Sequence, residues 1–421
     1  SSTAVTTISV ATLDDDAPTL AGLSGSAVSY TESASATQLE SGLTVADTDD
    51  DNLTKAIVRI SAGFESSEDV LAATVGSTGL NATYTASTGT LEITGTGTKA
   101  QYQEVLRTVT YDNTNDNQPS TSARTIIWQL FDGANYSSAG TTTVNITAVN
   151  DAPTGADAGA TLAFTEGDGA SVIDSSLTLA DVDDTNLESA TIQISSGYQS
   201  SEDILAFSNQ SGITGSWNSS NGTLTLTGSA TKSQYETALE SITYNNTSDT
   251  PNTGNRTVTW IVNDGTVGST GITSTITVAA VNDAPALAGG GNVLQFSEGD
   301  SAIVVNNSLT LSDAESTAVN RVEVVLAGSG TGEQLNFSDT SKIEGSWSSG
   351  TLTLSAISGQ SPTNAEFQAA IRTITYSNTD TSTSDGNRTA TFKAYEGTGT
   401  SLASSTAVTT ISVATLDDDA P

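Results

Sequence analysis

Apolar residues in this chain recur at every second position in many short runs. The run Arg124–Phe131 shows this most clearly, with Ile126, Trp128 and Leu130 on one face, and it turns at Asp132-Gly133. The same alternation predicts strands around Val28 and Tyr30 and at residues 43–45, 56–60, 90–94, 109–111 and 143–148, the last with Val144 and Ile146 inward. One stretch departs from it. Lys99–Leu106 puts Tyr102, Val105 and Leu106 on one helical face, which predicts a short helix. Short strands with turn signals between them predict a β-sandwich or barrel.

The series occurs three times. Glu32, Asp47-Thr48-Asp49, Ser67-Glu68-Asp69, Lys99 and Asp132-Gly133 have counterparts in Glu166, Asp181-Val182-Asp183-Asp184, Ser201-Glu202-Asp203, Lys232 and Asp264-Gly265. The third copy drifts. It keeps Glu298, Asp313-Ala314-Glu315 and Phe367-Gln368, has Glu396-Gly397 for the Asp-Gly turn, and reduces the Glu-Asp loop to Gly332-Glu333-Gln334. Acidic Ala-Pro pentads separate the copies: Val149-Asn150-Asp151-Ala152-Pro153, Val281-Asn282-Asp283-Ala284-Pro285, and the variant Asp14-Asp15-Asp16-Ala17-Pro18, which returns at residues 417–421. Read as linkers, they predict repeats at 17–151, 152–283 and 284–421, the last with an exit linker. Residues 1–16 then form the last strand and linker of a preceding repeat.

Residues 1–18 are identical to residues 404–421. The simplest account is one period, residues 1 to 403, of a longer array. The rival account makes residues 1–13 a donor strand that completes a neighbouring molecule in a fibre. It is disfavoured because the third repeat carries its own copy. A repeat of about 134 residues buries nearly 70% of its unfolded surface, so each unit is expected to fold alone.

Composition narrows the class. Twelve basic residues stand against forty-eight acidic ones, for a net charge of −36. Such a surface repels nucleic acid and anionic membrane, and it attracts divalent cations. Aromatics make up 5% and charged residues 14%, which is too polar for a large enzyme core. Cysteine, histidine and methionine are absent, so there is no disulfide, no thiol chemistry and no usual nucleophile–base pair. No apolar run approaches the roughly 20 residues of a membrane span. An enzyme is not expected, and an extracellular, secreted-looking protein is.

Strand direction explains the clustered carboxylates. The first strand of a repeat runs down to Glu32, the second returns to Asp47 and Asp49 at the top, and the last exits at the bottom into Asn150 and Asp151. The Asp132-Gly133 turn before that last strand is therefore also at the top. The first joint is expected to gather Glu32 from above, Asn150 and Asp151 from the linker, and Asp181, Asp183 and Asp264 from below. The second gathers Glu166, Asn282, Asp283, Asp313, Glu315 and Glu396. A leading joint uses Asp14 and Asp16 with Asp47, Asp49 and Asp132. Glu32 to Asp47, Glu166 to Asp181 and Glu298 to Asp313 keep one spacing. Sets of six hard oxygen ligands suit Ca2+ better than magnesium or zinc. Asp and Asn also favour turns without any metal.

The Glu near the start of each repeat, the Asp-x-Asp loop, the Asp-Gly turn and the Asn-Asp-x-Pro linker together resemble calcium-binding cadherin repeats. The Gly-Thr-Leu, Gln-Tyr and Tyr-x-Asn motifs are similar to the chondroitin-sulfate-proteoglycan-type and cadherin-like repeats of very large bacterial secreted adhesins. The resemblance implies three tandem cadherin-like (Ig-like) β-sandwiches in an extended rod, all-β apart from one short helix each. It also implies a calcium-rigidified stalk or fibre on a bacterial cell surface or secreted from it. Neighbouring repeats are the expected partners, with self-association into fibres, or recognition of a glycan or cell-surface target, as alternatives. Trp217 and Trp347, each in a Gly-Ser-Trp context, are more open to stacking a sugar than inward-facing Trp128 and Trp260. Glu68-Asp69 and Glu202-Asp203 are candidate further ligands, Lys99 and Lys232 a solvated helix start, and Arg124, Arg256 and Arg388 structural ion-pair partners.

Overall fold

A computed structural model describes residues 3, 5, 16–156, 159–315, 319–380, 384–397 and 402–415. Apart from residues 3 and 5, the expected strand at 1–13 falls outside the described residues, as do Asp14 and the closing pentad 417–421.

The first repeat runs β1 (Thr19–Ala21), β2 (Val28–Thr31), β3 (Thr37–Gln38), β4 (Thr44–Ala46), β5 (Asn52–Ala62), β6 (Asp69–Ala72), β7 (Asn81–Thr85), β8 (Thr90–Thr98), α1 (Lys99–Leu106), β9 (Thr110–Asn113), β10 (Arg124–Phe131) and β11 (Gly140–Thr147). One sheet has the order β2-β11-β10-β5-β8-β7, β3-β9-β6 makes the layer facing it, and β1-β4 form a separate two-stranded sheet. All pairs are antiparallel except β11 with β2, where Val144 faces Val28. Residues along β10 alternate strictly between buried and half-buried, as its period-two pattern requires. The layers meet through Tyr30 on β2 and Tyr111 on β9, whose rings cross edge to face at 5.3 Å. Phe164 with Tyr244, and Phe296 with Tyr376, repeat that contact at 5.0 and 4.9 Å.

The other repeats reproduce this arrangement, so the chain is a tandem of three β-sandwiches. Each has its own hydrophobic core, drawn from residues between Tyr30 and Ile146, Phe164 and Val278, and Leu287 and Val413. In the third, strand Ala407–Ala414 pairs with both Gly386–Glu396 and Val293–Ser297, filling the place β11 holds in the first.

The helices α1, α2 (Lys232–Glu240) and α3 (Asn364–Ile371) begin alike. Thr98, Thr231 and Thr363 are N-caps in full capping boxes with Gln101, Gln234 and Glu366. Tyr102, Val105 and Leu106 turn inward, and burial pushes the Tyr102 phenol up to about 12. Thr231→Ala should cost the second repeat about 1 kcal/mol by urea unfolding, the usual value of an N-cap hydroxyl. A Thr231→Ser control should recover most of it.

The Glu-Asp loops differ from the expectation that they offer metal ligands. Asp69 opens β6, is fully buried, and accepts from Arg124 Nε at 3.0 Å on each oxygen and from the Tyr111 hydroxyl at 2.6 Å. Asp203 holds the same position against Arg256 and Tyr244, and Glu333 pairs with Arg388 at 2.6 Å. A carboxylate so enclosed by a guanidinium is a structural ion pair. Glu68 faces inward too. Burial alone would raise its carboxyl, but donors on Asn115 and Ser120 outweigh it and hold it below the ordinary range.

Among the described residues, no helix is long and apolar enough to cross a membrane. Trp128 and Trp260 are buried in the cores, while Trp217 and Trp347 are half-buried and pack against them.

Candidate metal centres

Each centre is built on a tight acidic loop. In the second repeat, strand Thr178–Ala180 ends and Asp181 turns the chain, its Oδ1 accepting from the N–H groups of Asp183 (3.3 Å) and Asp184 (2.9 Å). This Asx turn commits one oxygen of Asp181 to the backbone and leaves the other, Oδ2, buried without a donor. Asp47 turns its loop in the same way, with Asp49 and Asp50 as donors.

At the first joint the linker lies against that loop. Glu32 Oε2 accepts from Val149 N–H at 2.6 Å, fastening the lower end of the first repeat to the linker. Asn150 Nδ2 donates to Asp264 Oδ2 at 2.9 Å and to the Asp151 carbonyl at 2.8 Å. Asp151 N–H donates to Asp183 Oδ2 at 3.0 Å. Glu32, Asn150, Asp151, Asp181, Asp183 and Asp264 are thus linked through one another and the linker backbone.

The second joint repeats the wiring with different acids. Val281 N–H donates to Glu166 Oε2 at 2.8 Å, Asn282 Nδ2 to Glu396 Oε2 at 2.7 Å, and Asp283 N–H to Glu315 Oε2 at 3.0 Å. Asp313 heads the loop that carries Glu315. At the leading joint Asp16 N–H donates to Asp49 Oδ2 at 3.3 Å, and Asp132 Oδ1 accepts from Ala134 and Asn135, both at 2.7 Å.

Several oxygens in these centres have no donor. Glu32 Oε1, Asp151 Oδ2, Asp181 Oδ2 and Asp183 Oδ1 at the first joint are buried without a hydrogen-bond partner. So are Glu315 Oε1 and Glu396 Oε1 at the second, and Asp47 Oδ2 and Asp132 Oδ2 at the leading one. Two groups bring one oxygen per residue within 4.8 Å of one another: Asp181, Asp183 and Asp184, and Glu166, Asp283 and Glu315. Buried, donor-free carboxylate oxygens at such spacing are what a hard cation requires.

The electrostatics reflect the crowding. Burial raises the Asp181 carboxyl and the Asp183 carboxylate beside it adds to the shift, outweighing the donor N–H groups. Asp264 goes the other way. Burial opposes ionisation, but donors on Asn150, Val267 and Thr266 together hold the carboxyl below its ordinary value.

Two features escaped the sequence reading. Asp184 joins the Asp181 and Asp183 cluster. Lys232, expected as a solvated helix start, instead donates from Nζ to the carbonyls of Asp181 (2.8 Å) and Asp184, and Lys99 does the same to Asp47 (2.9 Å) and Asp50 (2.6 Å). The repeated pairing of Asp-rich loop and Lys-led helix signals that the two belong together, though not which atoms meet.

No protein-family model matches the chain. A stretch of 91 residues is 40% identical to halomucin of Haloquadratum walsbyi (strain DSM 16790 / HBSQ001). That match takes in 20% of this chain, and about 1% of the length of that curated relative. Similar solved structures include a protocadherin gamma B2 segment of extracellular cadherin domains 1–5, at 13% identity and TM-score 0.36, covering 96% of this chain and 61% of that one. Drosophila N-cadherin EC1-4 is 12% identical at TM-score 0.29, covering 96% and 76%. Human CDH23 EC21-23 is 14% identical at TM-score 0.32, covering 92% and 97%. At such scores the tandem sandwich stands on this chain's own sheets.

Proposed function

We propose that the chain is a calcium-rigidified structural segment, a stalk or fibre built from repeats at 17–151, 152–283 and 284–421, in a bacterial cell-surface or secreted adhesin. Its partners are the neighbouring repeats of the same array. One observation carries the reading: at three joints the N–H of a linker Asp is held by a carboxylate of the next repeat, at 3.3, 3.0 and 3.0 Å, among buried oxygens that lack donors. A turn-forming role alone would not bring acids from two repeats and a linker together.

Calcium would be held at the first joint by Glu32, Asn150, Asp151, Asp181, Asp183 and Asp264. At the second it would be held by Glu166, Asn282, Asp283, Asp313, Glu315 and Glu396, and at the leading joint by Asp14, Asp16, Asp47, Asp49 and Asp132. Asn150 and Asn282 use Nδ2 in hydrogen bonds, so each has only Oδ1 to offer from its side chain. A bound ion supplies positive charge that the carboxylates otherwise lack. Without it, close carboxylate pairs repel by about 1 kcal/mol each even in water. Calcium at ten to a hundred times its dissociation constant stabilises each site by about 1.4 to 2.7 kcal/mol. The cores already hold the sandwiches together, so that energy acts on the joints.

Limited proteolysis tests this. Calcium should protect the linkers around 150–153 and 282–285 and leave the rates of cutting within the sandwiches unchanged. Equal linker cutting in calcium and in chelator would defeat the reading.

A further inference from the structure

The first two repeats open their helices with a lysine that reaches away to the acidic loop. Lys232 Nζ joins the carbonyls of Asp181 and Asp184, and Lys99 Nζ those of Asp47 and Asp50. The ammonium closes each loop from its carbonyl side, while the Oδ1 of Asp181 or Asp47 closes it from the N–H side. Lys99 also lies 3.6 Å from Asp51, a fully exposed carboxylate, so its two carbonyl bonds are the contacts that fix it. In the third repeat the first helical residue is Asn364, whose Oδ1 accepts from Val319 N–H at 2.8 Å. That contact is made by a neutral group, and no lysine stands at this helix position.

We propose that Lys99 and Lys232 are built-in counter-ions that keep the acidic loops folded when the joints hold no metal. The joint between the second and third repeats, served by Asn364, is then the first to loosen as calcium falls. This rests on the calcium reading of the joints and adds an order of loosening to it. Lys232 is a positioning residue, because it binds the backbone of the ligand loop and leaves the carboxylates open.

A lysine here has two opposed effects. It repels the dication, by an amount that falls with distance and with screening by solvent and salt. It also orders the loop in advance, and fixing the backbone of one residue is worth a factor of about five to thirty. The loop Asp181-Val182-Asp183-Asp184 has several such residues. Pre-organisation is the larger effect in this proposal, and the direction of the midpoint shift decides it.

The chain has no cysteine, so introduced cysteine pairs flanking each joint carry spin labels at chosen sites only. Electron–electron distance measurements on the full chain during a calcium titration then follow each joint separately. The first joint should order at calcium about tenfold lower than the second. Lys232→Met should raise the midpoint of the first joint about tenfold without moving the second, and Asn364→Lys should lower the second. An unchanged midpoint in Lys232→Met overturns the proposal. So does a lowered one, which is what a merely repelling charge would give. Amide exchange in chelator supplies a readout independent of calcium: Asp183 and Asp184 should exchange at least tenfold faster in Lys232→Met, and wild-type rates there also overturn it. Wild-type joints that ignore calcium altogether would remove the calcium reading while leaving the exchange test standing.

Discussion

Arg256→Met should destabilise the second repeat by about 3–5 kcal/mol, the range for breaking one side of a buried ion pair. Arg256 is wholly buried and bonds both oxygens of Asp203 at 3.1 to 3.3 Å. It also donates to the carbonyls of Asn252 and Gly254, pinning the loop before its strand. Its removal leaves Asp203 as a buried charge with only Tyr244 and Asn246 as side-chain donors. The pair itself is not the source of the cost, since a well-packed apolar substitute for both members is often neutral. Adding Asp203→Leu to Arg256→Met should therefore recover much of the loss. Calorimetry of the full chain would follow the second repeat's transition. A loss under 1 kcal/mol in the single variant would mean that water reaches Asp203 freely.

Asp181→Asn with Asp183→Asn should weaken calcium at the first joint at least a hundredfold and leave all three sandwiches folded. Calcium affinity follows the number of charged ligands in a site, and this variant removes two of them. Asn keeps the size and the Asx-turn oxygen of Asp181, so the loop geometry survives. The second joint, built on Asp283, Asp313 and Glu315, should keep its affinity. Calorimetric titration would resolve the two classes of site. Equal affinity before and after the change would mean that these carboxylates are turn formers only.

Much of this was legible in the chain because strict alternation and threefold repetition leave little choice. Ile126, Trp128 and Leu130 must share a face if that run is a strand, and the α1 spacing of Tyr102, Val105 and Leu106 admits only a helix. The end of the sandwich at which each acid falls was legible for a related reason. Alternating strand direction sends Glu32 to one end of a sandwich and Asp47 to the other, whatever the detailed packing. Contacts that leave no periodic trace were not legible. Asp69 reads as part of an exposed acidic loop because its partner, Arg124, lies far along the chain. Strand Asn81–Thr85 sits at a sheet edge with no fully buried residue, so its alternation is too shallow to stand out. Lys232 binds backbone carbonyls, which any residue supplies, so sequence spacing could not identify its target.

Small-angle X-ray scattering of the full chain, in calcium and again in chelator, addresses the joints most directly. The account predicts a longer maximum dimension and a narrower spread of shapes with calcium, reversed by the chelator, at unchanged β content by circular dichroism. Identical scattering in both conditions would mean that no ion stiffens the hand-over from one sandwich to the next.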